Sequence, residues 1–122
     1  MSIFATDGVG SVLHRALNGI TFRQNVIADN IANVDTPGFR ARSVDFETSL
    51  KSAIARGADG RPVDENDVEV VTTATNTPVG ANGNNVDLRK ETMAAMQTVY
   101  QYQLVTRSAS DRLEVMRMAV AG

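Results

Sequence analysis

His14 is the only histidine, and the chain has no cysteine. One imidazole beside Leu13, with no acids clustered near it, offers neither a metal site nor a catalytic pair, because a tetrahedral site needs several ligands at fixed spacing. Asp64-Glu65-Asn66-Asp67 is acidic but lacks the alternating oxygen ligands of a calcium loop, so it reads as a solvated charged loop. The stretch VGANGNN, residues 79–85, has neither GxGxxG spacing nor a following Lys-Ser/Thr, which excludes a phosphate loop. Ser43, Ser49, Ser52, Ser108 and Ser110 have no evident base. The expectation is a protein that is not an enzyme and uses no cofactor or metal.

The remaining polar chemistry is hydrogen bonding by short amides. The stretch NVIADNIANVDTPGF, residues 25–39, places asparagine and aspartate inside a helical pattern, where their side chains compete for backbone groups. Asn18, Asn25, Asp29 and Asn33 follow one another at steps of seven, four and four, and so share one stripe; Asn30 lies beside it. Lys and Glu would solvate such a face at less cost. Short amides suit bonds to neighbouring backbones or helix ends, because buried polar groups need partners. The expectation is a subunit interface built from Asn18, Asn25, Asp29, Asn30 and Asn33 with the turn residues Thr36, Pro37, Gly38 and Phe39. Asn33 is expected to cap the helix in the left-handed region. Pro37 and Gly38 fit positions two and three of a type II turn.

Two helices must carry these groups. Leu13, Leu17, Ile20, Gln24, Ile27, Ile31 and Val34 alternate steps of four and three, the seam pattern of a coiled coil. Leu88, Thr92, Ala95, Val99, Tyr102, Thr106, Ala109, Leu113, Met116 and Val120 do the same without a slip, over a helix of roughly 50 Å. Apart from the threonines, both sets are expected as subunit-interface seams. Asp87 is the expected N-cap of the second helix, with Glu91 in its first turn. Met93, Met96 and Met118 flank that seam and widen its apolar face. Gly8 and Gly10 weaken the start of the first helix. Between the helices, Phe46, Leu50, Ala53 and Ile54 predict a short helix that Gly57 ends. Val68 and Val70 alternate with acids as in a short strand, Asn82-Gly83 is a turn dipeptide, and residues 57–85 read as a mobile insert.

The predicted fold is therefore mostly α: long N- and C-terminal helices packed as a coiled-coil-like hairpin, with a short helix and a loose middle that holds at most a β-hairpin. At 122 residues the chain fits one domain, with a helix at 9–34, a turn, short helix and flexible middle at 35–86, and a helix at 87–120. A net charge of −2 with no basic block argues against a nucleic-acid surface. No run approaches the ~20 apolar residues of a membrane span. The start MSIFATDGVGSVLHRALNG is not a conventional signal peptide, so the chain either stays in the cytoplasm or leaves by a route that reads no cleaved signal. Ordering seven residues costs about 10 kcal/mol, against two seam side chains worth ~1.5–3 kcal/mol each. A two-helix hairpin is thus marginal alone and gains most when other copies pack around it; a self-contained hairpin is the alternative.

IADNIANVDTPGFRARSVDFETSL, residues 27–50, closely resembles the N-terminal motif of bacterial flagellar rod, hook and hook-associated proteins. RSVDFETSL, GNNVDLRKETMA and TVYQYQLVTRSAS resemble the proximal rod branch of that axial family, and the resemblance spans about residues 9–56 and 82–120. It implies a structural subunit, exported by the flagellar type III apparatus without a cleaved signal peptide and assembled through its terminal helices into a helical rod of identical copies. That rod, in the periplasm, would transmit torque and line the export channel. Implied partners are a FliE-type adapter, a FlgC-type rod protein, and export-gate and membrane-ring components. Asp29 departs from the usual Ser or Asn there, and its charge calls for a partner, with Arg23, Arg40 or a neighbouring subunit as candidates. A small cytoplasmic coiled-coil adapter or export chaperone is the alternative from another class.

Overall fold

A computed structural model describes residues 8–58 and 69–121. Its elements are α1 (Gly8–Ala32), β1 (Arg42–Asp45), α2 (Glu47–Ala58), β2 (Val71–Ala74) and α3 (Leu88–Ala121). Residues 59–68, including Val68 and the acids at 64–67, lie outside the described residues. The mostly helical architecture with two long terminal helices is as expected. Gly8 and Gly10 both sit within α1, and Gly57 lies inside α2, which continues through Ala58.

The two long helices run antiparallel. Asn30 of α1 meets Glu91 of α3, Arg23 meets Gln101, and Val105 packs against the cluster that holds Ile20 and Ala16. Asp87 caps α3 as predicted: its carboxylate accepts the Lys90 N–H at 3.2 Å, which satisfies one of the orphan donors of a helix start.

Within the chain, the facing stripe of α3 lies one position away from its apolar seam, whereas that of α1 keeps the seam residues Ile20 and Ile27 and otherwise runs one position before the seam. On α1, Val12, Ala16, Ile20, Ile27 and Asn30 are buried, with Arg23 partly so. Leu13, Leu17, Ile31 and Val34 are half-buried flanks, and Gln24 is exposed. On α3 the inward stripe is Glu91, Ala94, Thr98, Gln101 and Val105. Ala95, Ala109 and Met116 are half-buried, whereas Leu88, Val99, Tyr102, Leu113 and Val120 are exposed. The physical reason is that small and mutually satisfied polar side chains let α3 approach α1. Thr98, with no exposed surface, donates to the Ala94 carbonyl at 2.7 Å, so its burial strands no hydroxyl.

The core proper is small and lies where the sheet and α2 meet α1. Ala16, Ile20, Val44 and Phe46 form it, with Val26, Leu50 and Val105 against its edge. Ala53 on α2 is fully buried, while Ile54 faces out. Phe46 lies flat on Gly19: a Cβ there would sit 2.5 Å from the ring. The glycine tolerates its helix-interior cost of about 1 kcal/mol because it seats the ring.

β1 and β2 pair antiparallel, with Val44 opposite Thr72. Of the strand predicted at Val68 and Val70, Val68 lies outside the described residues and Val70 directly precedes β2, whose partner β1 lies before α2. Ser49 of α2 fixes the entry to β2 by accepting the Glu69 N–H at 2.7 Å. The Thr75 N–H donates to the Ala41 carbonyl. The chain from 69 to 86 is thus tied at several points to the segment that follows α1.

Candidate functional site

The amides cluster where α1 ends. After Ala32 the chain makes consecutive turns, and the Thr36 carbonyl accepts the Phe39 N–H at 3.2 Å. Gly38, third in that turn, has φ +74°, which makes it the predicted type II turn. Asn33 does not adopt the left-handed cap expected of it, since no described non-glycine residue has positive φ. Its side chain instead bonds back along α1, Nδ2 donating to the Asp29 carbonyl at 2.8 Å and to Asp29 Oδ1 at 3.3 Å, and its Oδ1 accepts the Thr36 hydroxyl. An amide with a local backbone partner has no need of the αL route.

A second loop closes over this turn. Residues 80–84 form a type I turn with a glycine bulge: Gly83 N–H donates to the Gly80 carbonyl, Gly80 N–H donates to the Asn84 carbonyl, and Gly83 has φ +80°. Such a bulge needs a left-handed residue, which glycine supplies. Gly38 N–H donates to the Asn82 carbonyl at 3.0 Å. A Cβ on Gly83 would lie 3.3 Å from Gly38 Cα, so the two loops touch backbone to backbone.

Three buried asparagines lock the contact. Asn84 Nδ2 donates to the Asn33 and Thr36 carbonyls, both at 2.8 Å, and its Oδ1 accepts the Val86 N–H. It thereby adds a second donor to two carbonyls just past the end of α1, which already accept the Thr36 and Phe39 N–H groups. Asn85 Oδ1 accepts the Ala41 N–H at 2.6 Å. Asn30, 1% exposed, spans three elements: Nδ2 donates to the Arg42 carbonyl at 2.7 Å and to Glu91 Oε1 at 3.0 Å, and Oδ1 accepts the Arg42 N–H at 3.2 Å. Its amide takes the place of a neighbouring strand on the free edge of β1. We call this set of contacts the amide clasp.

Arg23 makes a second polar tie. Its guanidinium bonds Gln101 on α3, the Val44 carbonyl on β1 and Glu47 on α2, and lies 4.8 Å from the Phe46 ring centroid. Partial burial pushes the Glu47 carboxyl up, but the Arg23 guanidinium and the Phe46 N–H outweigh it and hold it below the ordinary value. The Thr48 hydroxyl and N–H likewise hold Asp45 low. Arg23 is therefore engaged away from Asp29, whose side chain meets Asn33 instead.

The predicted interface residues fall into two groups. Asn30, Asn33, Thr36, Gly38 and Phe39 take part in the clasp. Asn18, Asn25, Asp29 and Pro37 are exposed. The sequence singled out Arg23 only as a candidate partner of Asp29, and did not single out Asn84, Asn85, Gly19 or Thr98. The signal for Asn84 and Asn85 was available: two amides directly upstream of a helix cap, with a turn dipeptide before them.

A wide apolar surface stays open on α3. Met93, Met96, Tyr100 and Leu104 recur at steps of three, four and four on the side opposite Thr98, and Tyr100 and Leu104 are 67% and 68% exposed. Leu88, Val99, Tyr102, Leu113, Val115, Met118 and Val120 extend exposed apolar surface along the helix. Among the described residues, no group of three or more His, Cys, Asp or Glu could hold a metal ion, and no helix is long and apolar enough to cross a membrane.

The structure is thus a helical hairpin closed by an amide clasp, with its longer helix open on the outer side. Residues 12–40, which hold most of α1 and the turn, match the family described as flagella basal body rod protein. Over 129 residues the chain is 31% identical to the flagellar basal body rod protein FlgB of Bacillus subtilis (strain 168), covering 100% of this chain and 98% of the relative. It is 34% identical over 120 residues to FlgB of Escherichia coli (strain K12), covering 83% and 84%. It is 28% identical to FlgB of Salmonella typhimurium, covering 88% of each. The chain belongs to the FlgB family of flagellar basal body rod proteins.

Proposed function

We propose that this chain is a structural subunit of the proximal flagellar rod, not an enzyme, that assembles with copies of itself through its terminal helices. The observation that carries the reading is the open face of α3. Large apolar side chains at Met93, Met96, Tyr100 and Leu104 stand in water in the single chain, and contiguous exposed apolar surface marks an interaction site. The family gives that surface its setting, a rod of packed subunits. The seam residues Leu88, Val99, Tyr102 and Leu113, the exposed amides Asn18 and Asn25 and the carboxylate of Asp29 serve as further contacts between subunits. The subunit leaves the cytoplasm through the flagellar type III apparatus and stands in the periplasmic rod, where it transmits torque and lines the export channel. Its neighbours there are a FliE-type adapter, a FlgC-type rod protein and export-gate and membrane-ring components.

Fractionation tests this directly. Purified, membrane-attached basal bodies should contain the protein, and Leu104→Glu should remove it from them while leaving its helical content in solution unchanged. Recovery solely as a soluble cytoplasmic complex would favour an adapter or chaperone instead.

A further inference from the structure

The chain carries two Asn-Gly pairs, Asn18-Gly19 and Asn82-Gly83. Such a pair can modify itself. The Gly backbone nitrogen, having lost its proton to solvent base, attacks the Asn side-chain carbonyl carbon. A new N–Cγ bond forms, the Cγ–NH2 bond breaks, and ammonia leaves after taking a proton from water. The resulting five-membered imide then adds water at either carbonyl. Opening at Cγ gives aspartate; opening at the backbone carbonyl gives isoaspartate, in which the main chain runs through the former side chain. Asparagine and water become an acid and ammonia, with no oxidation or reduction. Glycine favours the attack because no Cβ shields its nitrogen and its backbone is freest to turn.

We propose that Asn82 is a site of this self-modification and that the closed amide clasp is what restrains it. In the closed loop both reacting groups are engaged. Gly83 N–H donates to the Gly80 carbonyl at 3.0 Å, so the nucleophile keeps its proton and points away from Cγ. Asn82 Oδ1 accepts the Asn84 N–H at 3.2 Å, which pins the electrophile toward the far side of the turn. The Asn82 carbonyl is itself held by Gly38 N–H. Asn82 is nevertheless exposed, so water and base reach it as soon as the turn opens. Asn18-Gly19 serves as the internal comparison: it lies in the middle of α1, and Gly19 is buried beneath Phe46. Its release requires α1 to open, whereas Asn82 needs only the clasp to open.

The modification would act in one direction. Isoaspartate at 82 lengthens the backbone by a methylene and turns the carbonyl that accepts Gly38 N–H into a branch carboxylate. Gly83 then no longer sits against Gly38, and the loop cannot return to its place on the turn. A chain held unfolded would lose the ability to close its clasp, whereas a chain already closed would keep it.

The test follows deamidation of the full chain by peptide mapping, at one pH and temperature, in buffer and in concentrated urea. In urea the two sites should react at similar rates. In buffer Asn82 should slow by at least about tenfold, the factor that 1.4 kcal/mol of local opening free energy gives, and Asn18 should slow further. Asn84→Ala should speed Asn82 in buffer and leave Asn18 unchanged; because Asn18 reports on α1, general unfolding by that variant would be seen as acceleration at both sites. Gly83→Ala should slow Asn82 in urea, where folding plays no part. Equal rates at Asn82 in buffer and urea, or no reaction at Asn82 in urea while Asn18 reacts, would overturn the proposal. So would an isoaspartate-82 chain whose Gly38 amide exchanges as slowly as in the unmodified protein.

Discussion

Replacing Asn30 by alanine tests the amide clasp at its most buried point. The side chain makes three hydrogen bonds, to both backbone groups of Arg42 and to Glu91. Glu91 is only 6% exposed, and a bond to a charged group is worth ~1.5–3 kcal/mol. The Arg42 groups lie nearer water, so losing their partner adds about 1 kcal/mol. Together the loss is about 3 kcal/mol, on the order of a hundredfold in the folding equilibrium. Urea unfolding followed by circular dichroism should show the midpoint fall by roughly 2 M at an unchanged slope. Asn30→Asp at neutral pH should cost at least as much, because it places a second carboxylate against Glu91 and removes both donors. Adding Glu91→Gln to Asn30→Asp reverses donor and acceptor across that contact and should recover part of the loss. An Asn30→Ala protein within about 0.5 kcal/mol of wild type, the range of an ordinary surface change, would refute the reasoning.

Other outcomes follow from the same geometry. Gly19→Ala ought to stabilise an open helix site by about 1 kcal/mol, but the Phe46 ring stands in the way. Thermal unfolding should instead show a loss of ~1–3 kcal/mol, and a raised Tm would mean the ring does not lie there. Gly38→Ala meets nothing within 4 Å yet has φ +74°, so it should cost about 1 kcal/mol from conformation alone, read by the same denaturation. Asp45 and Glu47 both have lowered folded values, against ordinary ones of 3.8 and 4.5. Their stabilisation is thus complete above those ordinary values and disappears as pH falls through the lower folded ones. Acid titration of Glu47→Gln should show a shallower decline than wild type, and an identical profile would remove the Arg23 tie from the account. Ile27→Asp should unfold the chain, because Ile27 is 7% exposed. Leu113→Asp, at an exposed position, should spare the monomer and block rod assembly, which basal-body purification would read.

The long helices, the cap at Asp87 and the turn at Pro37-Gly38 were legible because each rests on local rules of period, capping and φ. The inward register of α3 was not. A heptad search weighs apolar residues, whereas α3 presents Glu91, Ala94, Thr98 and Gln101 to α1, and these fit only because Asn30 and Arg23 answer two of them across a gap no sequence window spans. The asparagine signal was visible, but its meaning was long-range: Asn84 donates to the carbonyls of Asn33 and Thr36. The pairing of β2 was hidden for the same reason, since its partner lies on the other side of α2.

The central claim is a division of labour: amides close the subunit on itself, and the apolar side of α3 is left for its neighbours. A photo-crosslinking residue placed in turn at Tyr100 and at Asn84, in chains assembled into purified basal bodies, tests it most directly. The account predicts crosslinks to other rod subunits from position 100 and only intrachain crosslinks from position 84. Intersubunit crosslinks from 84, with none from 100, would contradict it.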